Sequence, residues 1–112
     1  MLETHQLLNS IVANLQNNLQ LAIDINSVYK ISIKDLENGT WYLKVKNQVE
    51  LTKSSENYDC EIELDQETLE KISRGELNPQ SAYLQDLIRV TGNSLSAINF
   101  VKLWPYDPSI GN

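Results

Sequence analysis

Cysteine is nearly absent from this chain: Cys60 is the sole one in 112 residues. It has no internal disulfide partner, so a reducing, cytoplasmic compartment is the expectation. Histidine is equally scarce, with His5 alone near the N-terminus. No second His or Cys stands beside it, so it is read as an exposed side chain rather than a general base or metal ligand. Basic residues are outnumbered 9 to 15, for a net charge of −6. That balance argues against non-specific binding to nucleic acid or to anionic membrane surfaces. No apolar run approaches the ~20 residues of a membrane-spanning helix, so no stable membrane insertion is expected. Residues 1–20 lack a basic stretch followed by an apolar one, which argues against a signal peptide. Internal repeats and low-complexity segments are missing too.

What is present is an ordinary globular composition, 41% apolar and 21% charged, in a chain long enough for one compact domain. Leu7, Leu8, Ile11, Val12 and Leu15 recur at helical spacing, with Thr4 as the expected N-cap and a polar Asn/Gln face opposite. A short second helical piece takes in Leu21, Ala22 and Ile25. The period then falls to two. Tyr29, Ile31 and Ile33 alternate with Lys30, Ser32 and Lys34, and Asn38–Gly39 turns the chain. Trp41, Leu43 and Val45 make a second strand, and Val49 with Leu51 a shorter third. After the polar loop 53–57, Tyr58, Cys60, Ile62 and Leu64 share one face and Asp59, Glu61 and Glu63 the other. Lysines on the outer faces of the first two strands and carboxylates on the fourth suggest that the first and fourth are neighbours, paired by charge.

The stretch from Asp65 to Asn93 is dense in boundary signals. Asp65 caps a helix carrying Leu69 and Ile72, ended by Arg74 and Gly75. Asn78 caps the next, with Pro79 in its first position and Ala82, Tyr83 and Leu84 as its apolar surface. Ile88 and Val90 form a fifth strand ended by Gly92. Asn93 or Ser94 caps a last helix whose apolar stripe is Leu95, Ile98, Val101 and Leu103, stopped by Pro105. The order α-β-β-β-β-α-α-β-α is α+β: a five-stranded, mainly antiparallel sheet covered on one face by helices. Residues 1–104 are read as a single domain and residues 105–112 as a loose tail.

Several features invite chemistry and are read more simply. Cys60 alternates inward with Ile62 and is taken as a buried, inert thiol. The run Asp59, Glu61, Glu63, Asp65 and Glu67 is a solvated strand face followed by a helix cap, without the loop glycine of a calcium-hand site. Gly75 and Gly92 end elements rather than cradle a phosphate. Trp41, Tyr42, Tyr58 and Tyr83 do not interleave with basic residues as nucleic-acid stacking platforms do.

Three segments resemble the sterol carrier protein 2 family: residues 25–47 (INSVYKISIKDLENGTWYLKVKN), residues 60–75, and residues 75–93 (GELNPQSAYLQDLIRVTGN). The third is the most specific, through Gly75, Leu77, Pro79, Ala82, Tyr83, Leu84, Ile88, Arg89, Val90 and Gly92. The chain departs from the pattern at Asp86, where the family usually has glycine, and at Leu87, where it has lysine. The resemblance implies an apolar tunnel between sheet and helices, holding a sterol, a fatty-acyl chain or another lipid. On that basis Ile31, Ile33, Trp41, Leu43, Ile62, Tyr83, Leu84, Ile88, Val90, Ile98, Val101 and Leu103 are the expected lining, with Asp86 at the mouth. From periodicity alone the same residues are a filled core. The expected function is a lipid carrier with no enzymatic activity, metal or cofactor. The alternative is an interaction or accessory module whose tunnel is filled or reduced. The first helix is a candidate lid or homodimer contact, and the C-terminus is not of the peroxisomal Ser-Lys-Leu type.

Overall fold

The computed structural model of the protein describes residues 3–104; the predicted tail and its stop at Pro105 lie outside them. Helix α1 (Thr4–Gln16) opens one residue earlier than its expected cap. Glu3 is the N-cap, its backbone N–H donating to Gln6 Oε1 at 3.0 Å, and Thr4 is already helical. Asn18 caps α2 (Leu19–Ile25), and Asn26 closes it in the left-handed conformation at φ 45°.

Five strands follow the period-two pattern: β1 (Ser27–Ile33), β2 (Thr40–Val45), β3 (Val49–Thr52), β4 (Cys60–Leu64) and β5 (Arg89–Gly92). They form one sheet in the order β3-β2-β1-β4-β5. Three neighbouring pairs run antiparallel, while β1 and β4 run parallel. The first and fourth strands are thus neighbours, as their charges suggested. Lys30 stands opposite Glu61, yet the carboxylate takes the Ser32 hydroxyl at 2.8 Å and the lysine sits 5.3 Å from the Tyr58 ring centroid. The ion pairs among the described residues lie instead around α3 (Gln66–Ser73). On an exposed sheet face an ion pair gains little over such alternatives, because water screens it.

Alternate residues of β1, β2 and β4 are buried, so one face of the sheet carries the core and helices cover it. Helices α3, α4 (Pro79–Leu84) and α5 (Ser94–Asn99) start at the predicted caps. Asp65 accepts from the Thr68 N–H at 2.8 Å, Asn78 from Gln80 and Ser81, and Asn93 from Leu95 and Ser96. The last helix is shorter than its pattern: after Asn99 it tightens into a 3₁₀ turn, Phe100–Leu103.

The apolar stripe of α1 packs onto the core, with Val12 half-buried at its margin. Leu7, Leu8, Ile11 and Leu15 are buried in the core, against β3, α2 and α3. That face is taken up by the protein's own core.

Candidate functional site

Ten of the twelve expected lining residues fall into three groups, with Ile88 shared by the first and the third, and Ile98 and Val101 lie on the last helical segment. Ile31, Ile33, Leu43, Ile62, Ile88 and Leu103 are buried and join the core. Trp41 is also buried, on the core face of β2 opposite Ile31. Its ring stacks on His5 at 6.4 Å between centroids, and the Lys53 ammonium sits 3.8 Å over it. Trp41 and His5 border a groove of about 490 Å³, together with Thr4, Leu36, Asn38 and Gln66. Nothing in the alternation pattern signals this cation–π contact, because Lys53 comes from a polar loop.

The third group gathers near the β5 edge. Tyr83, Leu84, Ile88 and Val90 line a groove of about 370 Å³, with Asp86 and Arg89. This brings together the expected mouth residue and four expected lining residues. Of the three residues expected to supply the apolar surface of α4, Ala82 is buried, while Tyr83 and Leu84 are exposed, Leu84 to 75%. The Tyr83 ring packs 6.0 Å from Phe100, and so ties α4 to the chain just after α5.

Helix α5 reverses its expected orientation. Leu95 and Ile98 are 66% and 68% exposed, while Ser96 and Asn99 are buried. Val101 is half-buried at the core margin. Two stripes compete on this segment. The aliphatic one runs 95-98-101; the other, Ser96, Asn99, Phe100 and Leu103, has the same helical spacing. The second wins because the sheet presents polar groups to it. Ser27 and Tyr29 are buried at the start of β1. The Ser27 and Ser96 hydroxyls lie 2.6 Å apart, and the Tyr29 hydroxyl donates to the Ser96 carbonyl at 2.7 Å. Buried hydroxyls need such partners, and Phe100 with Leu103 supplies the apolar burial that Leu95 and Ile98 forgo.

Burial raises the Tyr29 phenol well above its ordinary range, and pushes the Cys60 thiol up to about 11. Cys60 is fully buried beside this network and stays protonated near neutral pH. The acidic run is occupied structurally: Asp59 accepts the Val28 N–H at 2.7 Å, Glu61 the Ser32 hydroxyl, and Asp65 caps α3. Among the described residues no cluster of three His, Cys, Asp or Glu is placed to hold a metal ion. No helix of these residues is long and apolar enough to cross a membrane.

Against known proteins, sterol carrier protein 2 of Oryctolagus cuniculus is 33% identical over an alignment of 79 residues that covers 66% of this chain and 14% of that protein. The chain therefore matches a small part of that relative's length. Among solved structures, the sterol carrier protein domain 2 of Helicoverpa armigera superposes with a TM-score of 0.73 at 22% identity, over 86% of this chain and 80% of that one. Palmitated SCP2L2 of Aedes aegypti does so at 0.70 and 20% identity, over 91% and 94%. These structures share the fold. The model of the SCP-2 sterol transfer family matches residues 8–104, nearly the whole described chain, and the protein belongs to that family.

Proposed function

We propose that this chain is a lipid-binding carrier that receives an apolar chain at the α4–β5–α5 side of the sheet. The observation that carries the reading is the open groove of about 370 Å³ in which Tyr83, Leu84, Ile88 and Val90 meet the charged residues Asp86 and Arg89. Its volume lies within the ~300–1,000 Å³ of small-molecule sites. Leu87, Leu95 and Ile98 add exposed apolar surface from the same stretch of chain. Each methylene moved from water into such a site contributes roughly 0.8 kcal/mol, so a short buried length of chain is enough for useful affinity. The palmitate named with the Aedes aegypti protein supports a fatty-acyl ligand for this one. The carrier binds without chemistry: Cys60 is buried and protonated, and the acidic side chains serve the sheet and the helix caps. The unpaired Cys60 supports a cytoplasmic setting.

Lipid extraction and native mass spectrometry of freshly purified protein, followed by titration with fluorescent fatty acids and with neutral fluorescent lipids, test the proposal. A co-purifying lipid or saturable binding is expected, and Val90→Asp should weaken it at least tenfold by placing an unpaired charge in the groove. Absence of both signals overturns the carrier reading.

A second reading is favoured by the burial of Ile31, Leu43 and Ile62, each 3% exposed or less. These side chains fill space that a tunnel would need, as in an accessory module with a reduced cavity. Saturable binding that Val90→Asp abolishes would exclude it.

A further inference from the structure

Two helices of this protein end in the same backbone motif, with different residues at its critical position. After α3, the Gly75 N–H donates to the Ile72 carbonyl and the Glu76 N–H to the Lys71 carbonyl. After α4, the Asp86 N–H donates to Tyr83 and the Leu87 N–H to Ala82 in the same pattern. Both are Schellman endings, whose turning residue must adopt a left-handed conformation. Gly75 does so at φ 77°, without steric cost. Asp86 does so at φ 63°, where a Cβ is strained.

Asp86 also lines the α4–β5 groove, and none of the ion pairs among the described residues involves it. Arg89 borders the same groove, but strand alternation sends it to the outer sheet face, opposite Glu63. Val90 pairs with Ile62 on the inner face. Asp86 is therefore the charged side chain on the helical side of the rim, held there on a backbone that favours glycine.

We propose that Asp86 is a specificity-determining residue: its carboxylate biases the groove against anionic head groups and toward neutral lipids such as alcohols. The inference rests on the carrier reading and adds a ligand class to it. A carboxylate head approaching the rim meets a like charge, whereas a hydroxyl head can donate a hydrogen bond to Asp86.

The test compares dodecanoic acid with dodecanol, which share a chain length and differ in head group. Each competes with the neutral dye N-phenylnaphthylamine on the wild type, Asp86→Asn and Asp86→Gly, at a pH where the acid is ionised. Asn removes the charge and still tolerates the left-handed backbone; Gly removes both charge and strain. Both variants are expected to move the acid-to-alcohol affinity ratio toward the acid by about two- to fivefold at low salt, as suits a screened surface charge. High salt should erase the shift. An unchanged ratio in Asp86→Asn, with both ligands still bound, overturns the proposal and leaves the carrier reading standing. A shift in Asp86→Gly alone assigns the effect to the backbone, and overturns it too. Failure of all three proteins to bind either ligand overturns both readings.

Discussion

Helices α1 and α5 are both amphipathic, and they dock in opposite senses. The first turns its leucines and isoleucine into the core and its Asn and Gln side chains outward. The second turns Ser96 and Asn99 inward and leaves Leu95 and Ile98 in solvent. Around α1 the fold is held by apolar burial, which is proportional to area and insensitive to direction. Around α5 it is held largely by directed hydrogen bonds to Ser27 and Tyr29, helped by Phe100 and Leu103. The difference teaches that an apolar stripe predicts a buried face only where the opposing surface is apolar as well. It also locates the exposed apolar residues on the side of the sheet where a lipid is proposed to bind.

The sharpest way to break this comparison is to truncate one apolar residue on each helix. Leu8 is 1% exposed, and Leu8→Ala should cost about 2–5 kcal/mol through lost transfer energy and the cavity left behind. Ile98→Ala should stay within about 0.5 kcal/mol, as surface substitutions do. Urea denaturation measures both. Equal losses would mean that Ile98 is packed in solution and that α5 is turned the other way.

Next in size is the hydrogen-bonded attachment of α5. Tyr29→Phe keeps the ring and removes the hydroxyl that reaches the Ser96 carbonyl. A buried acceptor left unpaired costs about 1–3 kcal/mol. Amide exchange should show that loss as faster opening of α5 relative to α1. A loss confined to global unfolding, with α5 no more open than before, would argue that the network serves the sheet rather than the helix.

Much of this fold was legible in the sequence because it depends on local rules. The caps at Asp65, Asn78 and Asn93, the turn at Gly75 and the alternation of β1, β2 and β4 need no knowledge of the far side of the molecule. The β1–β4 neighbour relation was readable from charge sign, although the lysine and carboxylate then found other partners. The orientation of α5 was not legible, because it turns on Ser27 and Tyr29, which lie more than 60 residues away in the chain. The candidate site was only partly readable for the same reason. Tyr83, Leu84, Ile88, Val90 and Asp86 are close in sequence and border one groove, whereas Trp41, on β2, borders another beside His5, with Lys53 over its ring.

A smaller effect sharpens the contrast between burial and directed bonding through pH. The Thr68 backbone N–H bonded to Asp65 holds its carboxyl below the usual carboxylate range. A depressed carboxylate contributes stability above its unfolded pKa of about 3.9 and loses it as pH falls through the lower folded value. Asp65→Ala should cost about 0.5–2 kcal/mol at pH 7, as loss of an N-cap does. The gap between variant and wild type should narrow below about pH 4. Leu8→Ala, a pure packing loss, should show no such convergence. A pH-independent gap for Asp65→Ala would show that the stabilisation does not depend on the charge of the Asp65 carboxylate.

The smallest expected effect concerns the ends of α3 and α4, where the two regions use one motif. Beyond its own chain neighbours, a side chain at Gly75 would meet open space, so backbone strain rather than crowding makes glycine the favourable residue there. Asp86 bears that strain at the other end. Asp86→Gly relieves it, although the glycine is freer in the unfolded chain and Asp tolerates left-handed geometry better than most residues. The balance should be a gain of about 0.5 kcal/mol, a rise of roughly 2–4 °C in melting temperature for a domain of this size. The sign matters more than the size. A stabilising Asp86→Gly means that the fold carries a removable cost at the groove rim, which is what a residue kept for binding rather than for folding should show. A destabilising one would mean that the Asp86 side chain stabilises the α4–β5 junction, and the structural asymmetry between the two helix ends would then need no functional explanation.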